Sequence, residues 1–148
     1  KDDIVVGFSA SGTTPFVLSI LKHCRKEGIP TGCIVNNPHS PIAEWADYEV
    51  EVITGPEFVT GSTRMKAGTS QKLILDMIST TLQIRQGRVE GNKMVNAKLI
   101  NHKLIDRACR IFMERNSEYK DYEEVRQLIL KAGSVKKAEM MISRHFDM

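Results

Sequence analysis

At 148 residues and 41% hydrophobic composition, the chain is the size of one domain, or of a domain with a small appendage, and has apolar residues enough for a packed core. Its net charge of +3 comes from 21 basic and 18 acidic residues without blocks of like charge or interleaved aromatic and basic residues, which argues against a nucleic-acid or membrane surface. No run of about 18 apolar residues offers a transmembrane helix, no signal peptide is readable, and Cys24, Cys33 and Cys109 lack metal-ligand spacing, so a cytoplasmic location with reduced thiols is expected.

In chain order, Asp3 to Phe8 is a nearly continuous apolar run, as in a strand covered on both faces, and Pro15 to Lys26 reads as a helix stopped by Glu27-Gly28-Ile29-Pro30. Gly32 to Asn36 repeats the strand signal. Pro38 and Pro41 then break the chain, Ile42 to Ala46 fits one helical turn, and Tyr48 to Ile53 alternates as a third strand. Right-handed crossovers between such strands give an open parallel sheet. Met65 to Gln86 carries Leu73, Ile74, Met77, Ile78, Leu82 and Ile84 as a broad stripe, the pattern of a core helix, with Gly87 placed to end it. From about Val89 the β signal vanishes, and the rest reads as helices over Asn96 to Arg115, Asp121 to Lys131 and Ser134 to Arg144. Asp121 with Glu124 is a capping-box-like start, and Gly133-Ser134 stops one helix and caps the next. Because the chain opens at Lys1, one or two residues before a strand, it reads as a fragment.

SASGTTP, residues 9 to 15, lies between the first strand and the first helix. A parallel strand delivers its C-terminal end to the ligand side of the sheet, and the next helix points unpaired amides and partial positive charge there. Ser9, Ser11, Thr13 and Thr14 add hydroxyl donors, Gly12 permits close backbone approach, and Pro15 suits the first helical turn. Hydroxyls without a GxxxxGK[ST] lysine suggest the phosphate ester of a small molecule rather than a nucleoside triphosphate. A second reading stays open, in which Thr13 or Thr14 only caps the helix and the serines satisfy a turn. His23, His39, His102 and His145 share no metal or triad spacing and read as solvated surface. Trp45 reads as a loop anchor, and Met140, Met141 and Ile142 as packing of the tail.

A second stretch, GPEFVTGSTRMKAGTSQKL from Gly55, again lies between a strand and a helix. Together with SASGTTP it resembles the N-acetylmuramic acid 6-phosphate etherases of the sugar isomerase (SIS) superfamily. Similarity extends to Cys33-Ile34-Val35-Asn36-Asn37-Pro38, Gly91-Asn92-Lys93-Met94-Val95 and the tail around Ala132-Gly133-Ser134-Val135-Lys136. The resemblance implies that Ser9, Ser11 and Thr14, with Thr13 beside them, hold a sugar phosphate, with Gly12 as the close-approach residue. It places Glu57, Ser62, Thr63, Arg64 and Lys66 around the substrate or a dimer contact. Arg64 and Lys66 also fit a plainer reading as partners of local carboxylates.

The implied fold is α/β: a partial SIS-type three-layer α-β-α arrangement with a parallel sheet lacking its first strands over residues 1–90. A helical appendage follows over 91–148, with a ubiquitin-associated-like bundle at about 120–148. The implied parent enzyme is a carbon–oxygen lyase that cleaves the C3 lactyl ether to give N-acetylglucosamine 6-phosphate and D-lactate in cell-wall recycling. It needs no cofactor or metal, and its partners are the phosphosugar and a second copy in a homodimer. The family's acid and base glutamates lie upstream of this chain, so no catalytic residue is assigned here and the chain alone is expected to be inactive, with an uncovered sheet edge and apolar surface. The alternative is a non-catalytic phosphosugar-binding regulatory module, as in the glucokinase regulatory protein or sugar-sensing transcription regulators; an isomerase is a third possibility.

Overall fold

The computed structural model describes residues 3–146 and the side chains as far as Ser143. Strands β1 (Val5–Ser9), β2 (Thr31–Val35) and β3 (Tyr48–Glu51) form a parallel sheet in the order β1-β2-β3. Val5 pairs with Thr31, and Gly32 with Tyr48. Flanked on both sides, β2 is buried at all five positions, which fits the small and apolar run Gly32 to Val35 that follows Thr31. Between β1 and β2 runs helix α1 (Pro15–Lys26). It lies close against β1 because Gly7 has no side chain: a Cβ there would sit 2.6 Å from Val17 Cγ1. Leu21, Cys33, Val35, Ile42 and Ala43 form the buried core, with Val5, Val17, Leu18, Trp45 and Ala46 packed on it. Burial of each large member contributes about 1.5–3 kcal/mol. A 3-10 turn at Ala43–Trp45 takes the place of the expected helical turn. At the N-terminal edge of the sheet, Asp47 accepts from the Thr31 N–H and Oγ1 at 2.9 Å each. Those two bonds hold its carboxyl below the usual range.

Helix α2 (Lys66–Arg85) departs from expectation. Its apolar stripe predicts a core helix, yet only Ala67 and Ile74 are buried, while Leu73, Met77, Ile78, Leu82 and Ile84 stand exposed. The stripe is apolar on more than one flank, a pattern that calls for cover on several sides; the described residues cover one. The sheet is similarly open. Among the described residues each of β1 and β3 pairs on one edge alone, and Val6, Phe16, Val50 and Ile53 are exposed, Phe16 by 73%.

Contacts divide the chain into two compact units, one running to Ile78 and one beginning at Ser79. In the second, the expectation that β structure ends at Val89 is corrected: β4 (Val89–Glu90) and β5 (Lys93–Met94) form a short antiparallel hairpin. Gly91 at φ 59° supplies the first residue of a two-residue turn, a Gly-Asn signal too short-stranded to register as alternation. Three helices follow: α3 (His102–Arg115), α4 (Tyr122–Ala132) and α5 (Val135–Phe146). Helix α3 begins six residues after the expected Asn96, because the Asn101 side chain accepts from the Leu104 N–H and fixes the start there. Asp121 caps α4 by accepting from the Glu123 and Glu124 amides, and Gly133 ends it at φ 81°. Val95, Cys109, Phe112, Val125, Ile129 and Val135 are core members, and Tyr119 meets Phe112 edge to face at 5.3 Å. Arg115 bonds Glu90 at 2.8 Å and Glu139 at 3.0 Å, and Lys136 reaches Glu90 at 3.0 Å, fastening the hairpin to α3 and α5.

The parallel α/β sheet and the helical tail are therefore as read from the sequence. No helix among the described residues is long and apolar enough to cross a membrane, and no group of three or more His, Cys, Asp or Glu side chains there could hold a metal.

Candidate functional site

The C-terminal ends of the parallel strands carry three segments: the hydroxyl loop after β1, Asn36 to Ser40 after β2, and the stretch from Val52 that leads to α2. In the loop, Ser9 is buried at 5% exposure, and its Oγ accepts from the Gly12 N–H at 3.0 Å. The same Oγ lies 2.8 Å from Thr14 Oγ1 and 3.4 Å from Ser11 Oγ. Ser11 Oγ accepts from the Thr13 N–H at 3.2 Å and from Thr13 Oγ1 at 2.9 Å. With both of those donors aimed at it, the Ser11 hydroxyl hydrogen points elsewhere. All four hydroxyls named from the sequence thus converge, and their hydrogens can rotate from one another to an incoming acceptor without backbone movement.

The plainer reading of the loop fails in one respect. Neither Thr13 nor Thr14 caps α1: Thr14 occupies the N-cap position, but its hydroxyl bonds Ser9 instead of a helix amide. Helical bonding begins with the Leu18 N–H on the Thr14 carbonyl, and Pro15 has no N–H. Among the described residues nothing accepts from the Phe16 or Val17 amides, so the positive end of the α1 dipole stays open.

Gly12 has φ 71°, and an added Cβ would stand 2.5 Å from Ser40 Oγ. The close approach it allows is therefore to Ser40, buried at 3% exposure, and the Ile42 N–H seals this junction on the Gly12 carbonyl at 3.1 Å. Asn37 donates to the Ala10 carbonyl at 3.2 Å and to that of Ser11 at 3.4 Å. Asn36 and Asn37 lie in a segment that carries the family resemblance, but the sequence assigns no site role to them or to Ser40. Their signal was position: polar residues directly after a buried parallel strand, at the edge where ligands bind.

The second motif is built differently. Both Glu57 carboxylate oxygens accept from the Lys66 N–H at 3.0 Å, and Oε1 also accepts from Ala67 at 3.0 Å. Glu57 is thus the cap of α2, and these amide bonds, Lys66 first, hold its carboxyl below the usual range. Lys66 Nζ donates to the Pro56 carbonyl at 2.8 Å, and its charge also favours the ionised Glu57, while among the described residues neither Lys66 nor Arg64 forms an ion pair within 4.0 Å. Thr63, Arg64 and Lys66 are exposed and Ser62 half-buried, with no side-chain hydrogen bond drawing Ser62, Thr63 or Arg64 toward the hydroxyl loop.

No carboxylate hydrogen-bonds the Ser9–Thr14 loop among the described residues, so the loop has donors and a helix dipole but no acid or base. Burial raises the pKa of the Cys33 thiol in β2, which disfavours the thiolate form a nucleophile needs. Such an arrangement can hold an anion without transforming it.

The fold is that of an α/β domain with a parallel sheet, and the SIS domain family matches residues 1–80; the chain belongs to that family. It is 55% identical, over 98% of its length, to N-acetylmuramic acid 6-phosphate etherase of Bacteroides thetaiotaomicron, covering 52% of that protein. The protein of the same name from Porphyromonas gingivalis is 57% identical over 92% of the chain and 49% of its own length. That from Pectobacterium atrosepticum is 45% identical over 95% and 46%. The chain thus spans about half the length of the curated relatives it matches.

Proposed function

We propose that the chain is the phosphosugar-gripping part of an N-acetylmuramic acid 6-phosphate etherase, in which residues 1–90 belong to the SIS domain and 91–148 to a helical appendage with a ubiquitin-associated-like bundle at about 120–148. The observation that carries the reading is the uncapped N-terminus of α1 behind four convergent hydroxyls. The naming of the relatives supports the substrate. In the proposed reaction the ring-opened sugar presents an aldehyde beside C2. A carboxylate removes the C2 proton, the C3–oxygen bond breaks, and an acid protonates the departing lactate. Water then adds at C3 and a proton returns to C2, giving N-acetylglucosamine 6-phosphate and D-lactate. The loop anchors the phosphate through this sequence, while the acid and base come from the part of the parent protein outside this chain.

The exposed flanks of α2 and the open sheet edges support cover by that other part and by a second copy in a homodimer. The test is lactate release from N-acetylmuramic acid 6-phosphate. A protein of the relatives' full length that contains this chain is expected to release lactate and the 148-residue chain to release none. Turnover by the chain alone would contradict the placement of acid and base.

A further inference from the structure

Asn36, 6% exposed, directly follows β2 and bonds in three directions. Its backbone N–H donates to the Ala10 carbonyl of the hydroxyl loop at 3.1 Å. Its side-chain Nδ2 donates to the Val52 carbonyl at 2.9 Å and to Ser70 Oγ at 2.8 Å, and its Oδ1 accepts from Gln71 Nε2 at 2.9 Å. Both Nδ2 hydrogens are used, and the opposite amide orientation would set Oδ1 against the Val52 carbonyl, so the orientation is fixed. Ser70 in turn donates to the Ala67 carbonyl at 2.8 Å, and the Ala67 N–H donates to Glu57. Hydrogen bonds donated by Asn36 in two directions, by its backbone to Ala10 and by its side chain to Ser70, therefore link the hydroxyl loop to the capped start of α2.

We propose that Asn36 is a positioning residue that couples the two motifs, so that the first turn of α2 sets the geometry of the phosphate-gripping loop although its side chains stand apart from it. Buried polar chains of this kind have few alternative arrangements, because an abandoned Nδ2 hydrogen has no water to turn to. The inference rests on the loop being the phosphoester site.

The test uses the full chain with N-acetylglucosamine 6-phosphate as probe and unphosphorylated N-acetylglucosamine as control. Ser70→Ala removes the acceptor for Asn36 without touching the loop. It is expected to weaken phosphosugar binding about tenfold and to move the Gly12 and Thr13 amide resonances of the ligand-free protein. Ser70→Thr, which keeps the hydroxyl, is expected to restore both. A merely destabilising Ser70→Ala would lower the melting temperature while leaving those amides and the affinity unchanged, and that result would overturn the coupling. Equal affinity of the wild-type chain for both sugars would instead overturn the phosphoester reading, and the ligand-free amide shifts would still decide the coupling.

Discussion

Two loops of the first unit each lead into a helix N-terminus, and they treat it in opposite ways. Before α2, Glu57 folds back and neutralises the Lys66 and Ala67 amides with its own carboxylate. Before α1, the hydroxyls bond one another, and among the described residues the Phe16 and Val17 amides find no acceptor. The anion that α2 carries within the chain is thus missing at α1, which is where an external one fits. An acidic residue inside a motif is here a structural cap, and the neutral loop is the proposed site.

Substituting the tightest point of the neutral loop should have the largest effect. Gly12→Val forces a left-handed φ of 71° on a branched residue and drives its side chain into Ser40. Urea unfolding should show a loss of about 3 kcal/mol, with phosphosugar binding abolished; tolerance of the change would mean the loop does not rest on Ser40. Next comes Ser9→Ala, which strips the Gly12 N–H and Thr14 Oγ1 of their shared partner. It should destabilise by about 1–3 kcal/mol and cut phosphosugar affinity at least tenfold by calorimetric titration.

Glu57→Gln sharpens the contrast, since it keeps an acceptor at α2 but removes the charge. Thermal melts should fall by a few degrees with phosphosugar affinity within twofold of wild type; a collapse of binding would place Glu57 on the ligand after all. The effect should depend on pH in one direction. The folded carboxyl titrates below its ordinary value of 4.5, so as pH falls the unfolded chain takes up the proton first. Its stabilisation is therefore complete above that ordinary value and is lost as pH drops through the lower folded one, and the gap between wild type and Glu57→Gln should close over that interval. Smallest of all should be Arg64→Ala, an exposed side chain without an ion pair among the described residues. Chemical denaturation should place it within about 0.5 kcal/mol of wild type.

The parallel sheet and its helices were legible because their signals are local: the run from Gly32 to Val35 for β2, Pro15 at the start of α1, Asp121 and Gly133 at the ends of α4. The loop hydroxyls were legible for the same reason, lying within six residues of one another. What escaped the sequence depends on contacts between distant segments. Glu57 reaches α2 across nine residues and Asn36 reaches Ser70 across 34, separations at which residue type alone does not name a partner. Uncovered apolar surface was expected, but not its place on α2, because an apolar stripe records that a helix is to be covered without recording which polypeptide covers it.

The central claim is tested most directly by following backbone amide resonances while the chain is titrated with N-acetylglucosamine 6-phosphate. Shifts are expected at Ser9 to Val17, above all at the Phe16 and Val17 amides, with Lys66 and Ala67 shifted only slightly and the unphosphorylated sugar without effect. Shifts centred on Lys66 and Ala67 while the hydroxyl loop stays still would contradict it.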